Sequence, residues 1–85
     1  MAKIEIYTSR LCGFCARAKF LLAQKGLEYE EIDVDDSPGQ KELMVERAKG
    51  AQTVPQIFIN DVHIGGCDDL YGLEAENKLE TLLEI

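Results

Sequence analysis

Residues 12–15, Cys12-Gly13-Phe14-Cys15, decide how this chain is read. They stand between an alternating, strand-like run, Lys3-Ile4-Glu5-Ile6-Tyr7-Thr8, and a helix-like run from Gly13 to Lys25. A Cys-x-x-Cys pair at a strand-to-helix turn in a small chain reads as a redox site. The first N–H groups of a helix have no partner inside it, and the helix dipole adds partial positive charge at the same end. A cysteine placed there is favoured as thiolate, the form that attacks disulfides. The dipole alone is worth about 0.3–2 kcal/mol, so N–H···S contacts and a nearby cation are expected to add to it. Arg10 and Arg17 are the nearest cations in sequence. Cys15 lies one turn further in, less exposed and without orphan N–H groups. Position therefore makes Cys12 the attacking nucleophile and Cys15 the resolving thiol.

With 85 residues the chain is expected to form one domain spanning 1–85. A domain this small buries roughly 60% of the surface its unfolded chain exposes. Its 46% hydrophobic content is enough for one modest core. The substrate must then be a small molecule or the surface of another protein. Net charge is −7, but residues 1–25 carry five Lys/Arg against one Glu, while residues 26–85 carry four Lys/Arg against fifteen Asp/Glu. An acidic protein with a locally basic cysteine segment argues against nucleic-acid binding and suits an anionic small molecule at the thiols. The plainer reading, that most acidic residues solvate the other helices, holds for most of them. No apolar leader precedes the first strand, and no run approaches membrane-spanning length. The odd cysteine count points to a reducing compartment, the cytoplasm, and the chain is expected to be monomeric.

Outward from the cysteines, Phe14, Ala18, Leu21 and Leu22 fall on one helical face, and Lys25-Gly26 is a stop signal. Residues 27–34 read as a second strand, charged enough to be an edge. Ser37-Pro38-Gly39-Gln40 is expected to open a second helix, with Ser37 as cap, Pro38 at the first position and Gln40 completing a capping box. Leu43, Met44, Arg47 and Ala48 form its inner face, and Gly50 ends it. Gln56-Ile57-Phe58-Ile59 is apolar on both faces and reads as a central strand. Asn60-Asp61 is a two-residue hairpin turn to Val62-His63-Ile64. A helix from about Cys67 follows, then a short last helix capped at Asn77 with Leu79, Leu82 and Leu83 inward. Strands joined through a helix are parallel, and the last two form an antiparallel hairpin. The expected class is α/β, a four-stranded mixed sheet with helices on both faces.

Four pieces in this order, Ile6-Tyr7-Thr8, Cys12-Gly13-Phe14-Cys15, Thr53-Val54-Pro55 and Gly65-Gly66-Cys67-Asp68-Asp69-Leu70, resemble the small dithiol bacterial-type glutaredoxins over essentially the whole chain. The resemblance implies a thioredoxin-like fold, a cis peptide bond before Pro55, and glutathione as co-substrate. It implies reduction of glutathionylated or disulfide-containing proteins, ribonucleotide reductase among them. By the family's pattern the Val54 backbone pairs with the glutathione cysteine. The Gly66-Cys67-Asp68 turn holds the γ-glutamyl end, and a helix start is an anion site in its own right. Thr53, Phe14 and Pro55 line the groove. The family often has Pro where Gly13 stands, and Lys where Ser9 stands. Arg10, one position later, is the substitute contact for the glycyl carboxylate.

Three other readings compete. Cys12, Cys15, His63 and Cys67 have spacings conceivable for zinc, although His63, between Val62 and Ile64, points to the opposite face and reads as solvent-facing. Two chains could hold a [2Fe–2S] cluster through Cys12 and two glutathiones, with Gly13 leaving room. A glutathione-independent redoxin served by a thioredoxin reductase is the third; the Gly-Gly-Cys-Asp-Asp turn argues against it. The Cys67 thiol reads as a small filler, with its backbone N–H as the functional group.

Overall fold

All five residues of β1 (Ile4–Thr8) are buried, and the sheet is assembled on it. A computed structural model describes residues 2–83. After β1 come α1 (Gly13–Gln24), β2 (Glu30–Asp33), α2 (Gln40–Arg47), β3 (Gln56–Ile59), β4 (Val62–Gly65), α3 (Cys67–Ala75) and α4 (Leu79–Leu83). The strands lie in the order β2-β1-β3-β4, so β2 is an edge and β3 is central. β1 pairs parallel with β2 and antiparallel with β3, and β3–β4 is an antiparallel hairpin. Its turn residues, Asn60 and Asp61, both have positive φ (51° and 67°), the conformation a two-residue hairpin loop demands.

Alternation along the strands separates two cores. Ile4, Ile6, Ile57 and Ile59 face Ala18, Leu21 and Leu22 of α1, with Leu70 and Leu79 behind them. On the other face Tyr7 and Phe58 pack on Met44 and Ala48 of the α2 region. Helices thus cover both faces, as expected of the thioredoxin-like class.

Several local expectations are corrected. β2 is shorter than 27–34, because Leu27 and Tyr29 turn their side chains onto the first core from an irregular segment. Ser37 does not cap α2. Gly39 adopts φ +82°, which completes a turn in which the Gln40 N–H bonds the Ser37 carbonyl at 3.1 Å, and the helix begins only at Gln40. Leu43 is exposed, whereas Met44 and Ala48 are buried. Asn77 does not cap α4; it ends α3. It sits at φ +59°, with its N–H on the Glu74 carbonyl (3.1 Å) and the Lys78 N–H on the Leu73 carbonyl (2.9 Å), the paired bonds of a left-handed helix stop.

On the α2 face the Arg47 guanidinium reaches Glu5 at 2.9 Å and the Tyr7 hydroxyl at 2.9 Å, and lies over the Phe58 ring at 4.1 Å. The Glu5 side chain is only 11% exposed, so it has little water to fall back on if its partner is removed. Arg47→Leu, which keeps apolar cover on Phe58 but strands Glu5, is expected to lower the unfolding free energy by about 2–4 kcal/mol. Urea denaturation measures this; an unchanged midpoint would mean that the pair does not stabilise the fold.

Candidate active site

Cys12 is the N-cap of α1, in extended conformation (φ −127°, ψ 106°), and its sulfur accepts the Cys15 N–H at 3.2 Å. The orphan N–H contact expected from the sequence is present. Across the site, the loop before β3 brings the Val54 carbonyl to 3.6 Å from the same sulfur, and as a thiol Cys12 donates to it. The Val54–Pro55 peptide bond is cis. All three cysteines are free thiols. Cys12 is partly exposed; Cys15 is only 2% exposed. Burial, reinforced by the hydrogen bond and charge of Cys12, pushes the Cys15 thiol up to about 12, so it stays protonated while Cys12 is free; Lys19 and the Ser9 backbone act against this. Burial also raises the Cys67 thiol.

A groove of about 450 Å³ starts at Phe14 and Val54 and runs to the start of α3. It brings together Phe14, Thr53, Val54, Pro55, Gly66, Cys67 and Asp68. Phe14 does not join the inner face of α1: it is 55% exposed, and Cys15 takes the inward position in its place. Arg10 is not in the groove. Its guanidinium is paired with Asp36 and its N–H bonds Asp35 at 3.2 Å, because the turn after β2 lies alongside the loop before α1. Arg17 lies over the Tyr71 ring at 5.3 Å. Neither arginine forms a bond to Cys12.

The far wall was only partly legible. The Asp69 carboxylate accepts the Gly66 N–H at 3.0 Å and so is committed to capping α3, which leaves Asp68 exposed and unbonded among the described residues. A Cβ at Gly65 would run into that Asp69 carboxylate, and Gly65 stands at φ +121°, so the turn admits only glycine there. His63 is on the expected face but is not solvent-facing. It is half-buried, its ring 5.0 Å from that of Phe58, and its Nε2 is 2.6 Å from Gln56 Oε1. Gln56 and His63 both line the groove and were missed as site residues. The signal was the pairing of Phe58 with His63 in the hairpin register, which puts His63 beside Gln56, two residues along the same strand face. His63 is therefore spent on Gln56, and among the described residues no three His, Cys, Asp or Glu side chains converge as a metal set.

The glutaredoxin family model matches residues 4–64. This chain belongs to the glutaredoxin family. It is 50% identical over 84 residues to glutaredoxin 3 of Escherichia coli strain K12, covering 99% of this chain and 100% of that protein. A glutaredoxin from Brucella melitensis, solved in solution, is 55% identical with a TM-score of 0.85, covering 99% of this chain and 90% of that one. A buckwheat glutaredoxin solved as a glutathione complex is 31% identical with a TM-score of 0.87, covering 96% of this chain and 76% of that one. As a glutaredoxin, with a capped sulfur above a buried thiol, the protein is a thiol–disulfide oxidoreductase. Among the described residues no helix is long and apolar enough to cross a membrane.

Folding raises Cys15 from 9.0 to about 12, so the folded state holds this proton more tightly than the unfolded chain does. The resulting stabilisation is complete below pH 9.0 and is lost as pH climbs toward about 12. The urea midpoint of the wild type is expected to fall more steeply than that of Cys15→Ala across this window. Parallel curves for the two proteins would show that Cys15 is not the group concerned.

Proposed function

We propose that this glutaredoxin reduces protein–glutathione mixed disulfides and protein disulfides with glutathione as co-substrate. The observation that carries this reading is a peptide-sized groove whose first wall, Val54, also touches the nucleophilic sulfur. The Val54 N–H makes no hydrogen bond among the described residues and is open to pair with an extended ligand. At the other end Gly66, Cys67 and Asp68, which open α3, line the groove, and a helix start suits a carboxylate. Asp68 is free to meet an ammonium. Phe14, Thr53 and Pro55 supply the remaining walls, with Gly66 and Cys67 at the α3 end. The glutathione complex of the buckwheat relative supports the choice of ligand. Arg10, held by Asp36, would have to leave that pair to reach a glycyl carboxylate.

In the reaction, Cys12 thiolate attacks the glutathione sulfur of a mixed disulfide. The protein's sulfur leaves with the electron pair and takes a proton. A second glutathione thiolate then attacks the bound glutathione sulfur; oxidised glutathione leaves and Cys12 returns as thiolate. With a protein disulfide, Cys12 becomes joined to the protein and Cys15 must displace it. Once Cys12 is in a disulfide, its hydrogen bond and its charge no longer hold the Cys15 proton, while the Ser9 backbone and Lys19 still favour the anion. Burial still raises the Cys15 thiol, but with these two contributions gone the resolving thiol is easier to deprotonate once the intermediate has formed. An odd number of thiols fits a reducing compartment, so we place the protein in the cytoplasm, as a monomer.

The test is reduction of a glutathionylated peptide with glutathione and glutathione reductase supplying electrons. Cys12→Ser is expected to abolish turnover. Cys15→Ser is expected to retain it with this substrate and to lose turnover of a protein disulfide. Wild type that works only with a thioredoxin reductase would overturn the reading. Brown colour and visible absorption after anaerobic purification would move it to a cluster carrier held through Cys12.

A further inference from the structure

We propose that His63 is a positioning residue for the exchange reaction, acting through Gln56 on the loop that faces Cys12. The chain of contacts is continuous. The His63 ring rests on Phe58, with centroids 5.0 Å apart and planes tilted by 32°. Its Nε2 lies 2.6 Å from Gln56 Oε1. Gln56 Nε2 donates to the Thr53 carbonyl at 3.0 Å and lies 3.4 Å from the Thr53 hydroxyl. Thr53 is followed by Val54, whose carbonyl meets the Cys12 sulfur at 3.6 Å.

The direction of the network follows from donor counting. The Thr53 carbonyl can only accept, so the Gln56 amide must present its NH2 group to it. Gln56 Oε1 then faces His63, and Nε2 of the ring must carry the hydrogen. The opposite amide orientation would set two carbonyl oxygens against each other at Thr53. The Thr53 carbonyl sets the amide orientation, and His63, donating from Nε2, holds Gln56 in it. Gln56 is only 4% exposed, so water does not readily replace either partner. Phe58 has the Arg47 guanidinium 4.1 Å from its ring centroid as well as the His63 ring, and this stack fixes where His63 stands.

The consequence is kinetic. A loop pinned at Thr53 holds the Val54 edge and the groove wall in register with the sulfur, so loss of the pin weakens capture of the disulfide more than it slows the chemistry at sulfur. This deepens the glutathione reading and rests on it for its kinetic test. Three variants separate the effects: His63→Phe keeps the ring stack without the donor, His63→Gln restores an N–H donor, and Gln56→Met removes the amide.

With a glutathionylated peptide, His63→Phe and Gln56→Met are each expected to raise KM about three- to tenfold, the effect of one neutral hydrogen bond, while kcat moves by less than about twofold. His63→Gln is expected to recover most of the loss. The double variant His63→Phe/Gln56→Met is expected to be no worse than the weaker single variant, because both cut one chain of contacts. An unchanged KM in His63→Phe, or a His63→Gln enzyme as impaired as His63→Phe, would overturn the proposal. A second measurement does not depend on glutathione. The backbone amide NMR signals of Thr53 and Val54 are expected to shift in folded His63→Phe and to return in His63→Gln; unmoved signals overturn the proposal whatever the substrate. Wild type lacking glutathione-dependent turnover would instead count against the proposed function, and the NMR result would still decide the role of His63.

Discussion

The Cys12 sulfur sits where two independent pieces of chain meet. One is the start of α1, which gives it the Cys15 N–H at 3.2 Å; the other is the loop before β3, which gives it the Val54 carbonyl at 3.6 Å. The sulfur is therefore held between a backbone N–H donor on one side and a backbone carbonyl on the other. The helix is anchored by Cys15, Ala18, Leu21 and Leu22, all buried, and the loop is anchored by Pro55 and Gln56, also buried. The site is thus as rigid as the first core on one side and the β3 ladder on the other. Only the groove between them is open.

Charge is distributed differently from what the linear sequence suggests. The basic surplus of residues 1–25 does not form a positive surface around the thiols. Lys3 lies near Glu5 and Asp61, Arg10 on Asp36, Lys19 on Glu31, and Lys25 between Glu74 and Glu80. Among the described residues Arg17 is the cation of this segment that meets an aromatic ring, Tyr71, instead of a carboxylate. Exposed pairs of this kind stabilise by only about 0–1 kcal/mol each. Their main effect is to offset the basic surplus of residues 1–25 where it stands.

The architecture was largely legible because its signals are local. β1 shows alternation, β3 is an apolar run bounded by Pro55 and the Asn60-Asp61 turn, and glycine marks the end of α1. The Cys12–Cys15 geometry was legible for the same reason, since a helix start dictates both positions. What was not legible depends on neighbours distant in sequence. Arg10 looked free because Asp36 is 26 residues away along the chain. Strand parity put His63 on the right face. It could not reveal that Gln56 and Phe58 wait there, or that this part of the face opens onto a groove. Ser37 misled because Gly39 can take a left-handed φ and delay the helix.

The charges of the edge strand β2 mark its place in the sequence and also protect it in solution. Glu30, Glu31 and Asp33 mark this strand as an edge in the sequence, and they border the side of the sheet left unpaired beyond β2 among the described residues. A second sheet approaching this edge would have to bring carboxylates together as it formed its ladder. The Thr8 hydroxyl and Lys19 hold the Glu31 carboxyl below its usual range, so its charge persists further into acid than that of an ordinary glutamate. At neutral pH these carboxylates guard the border against sheet-to-sheet aggregation, and the contribution of Glu31 persists with its charge.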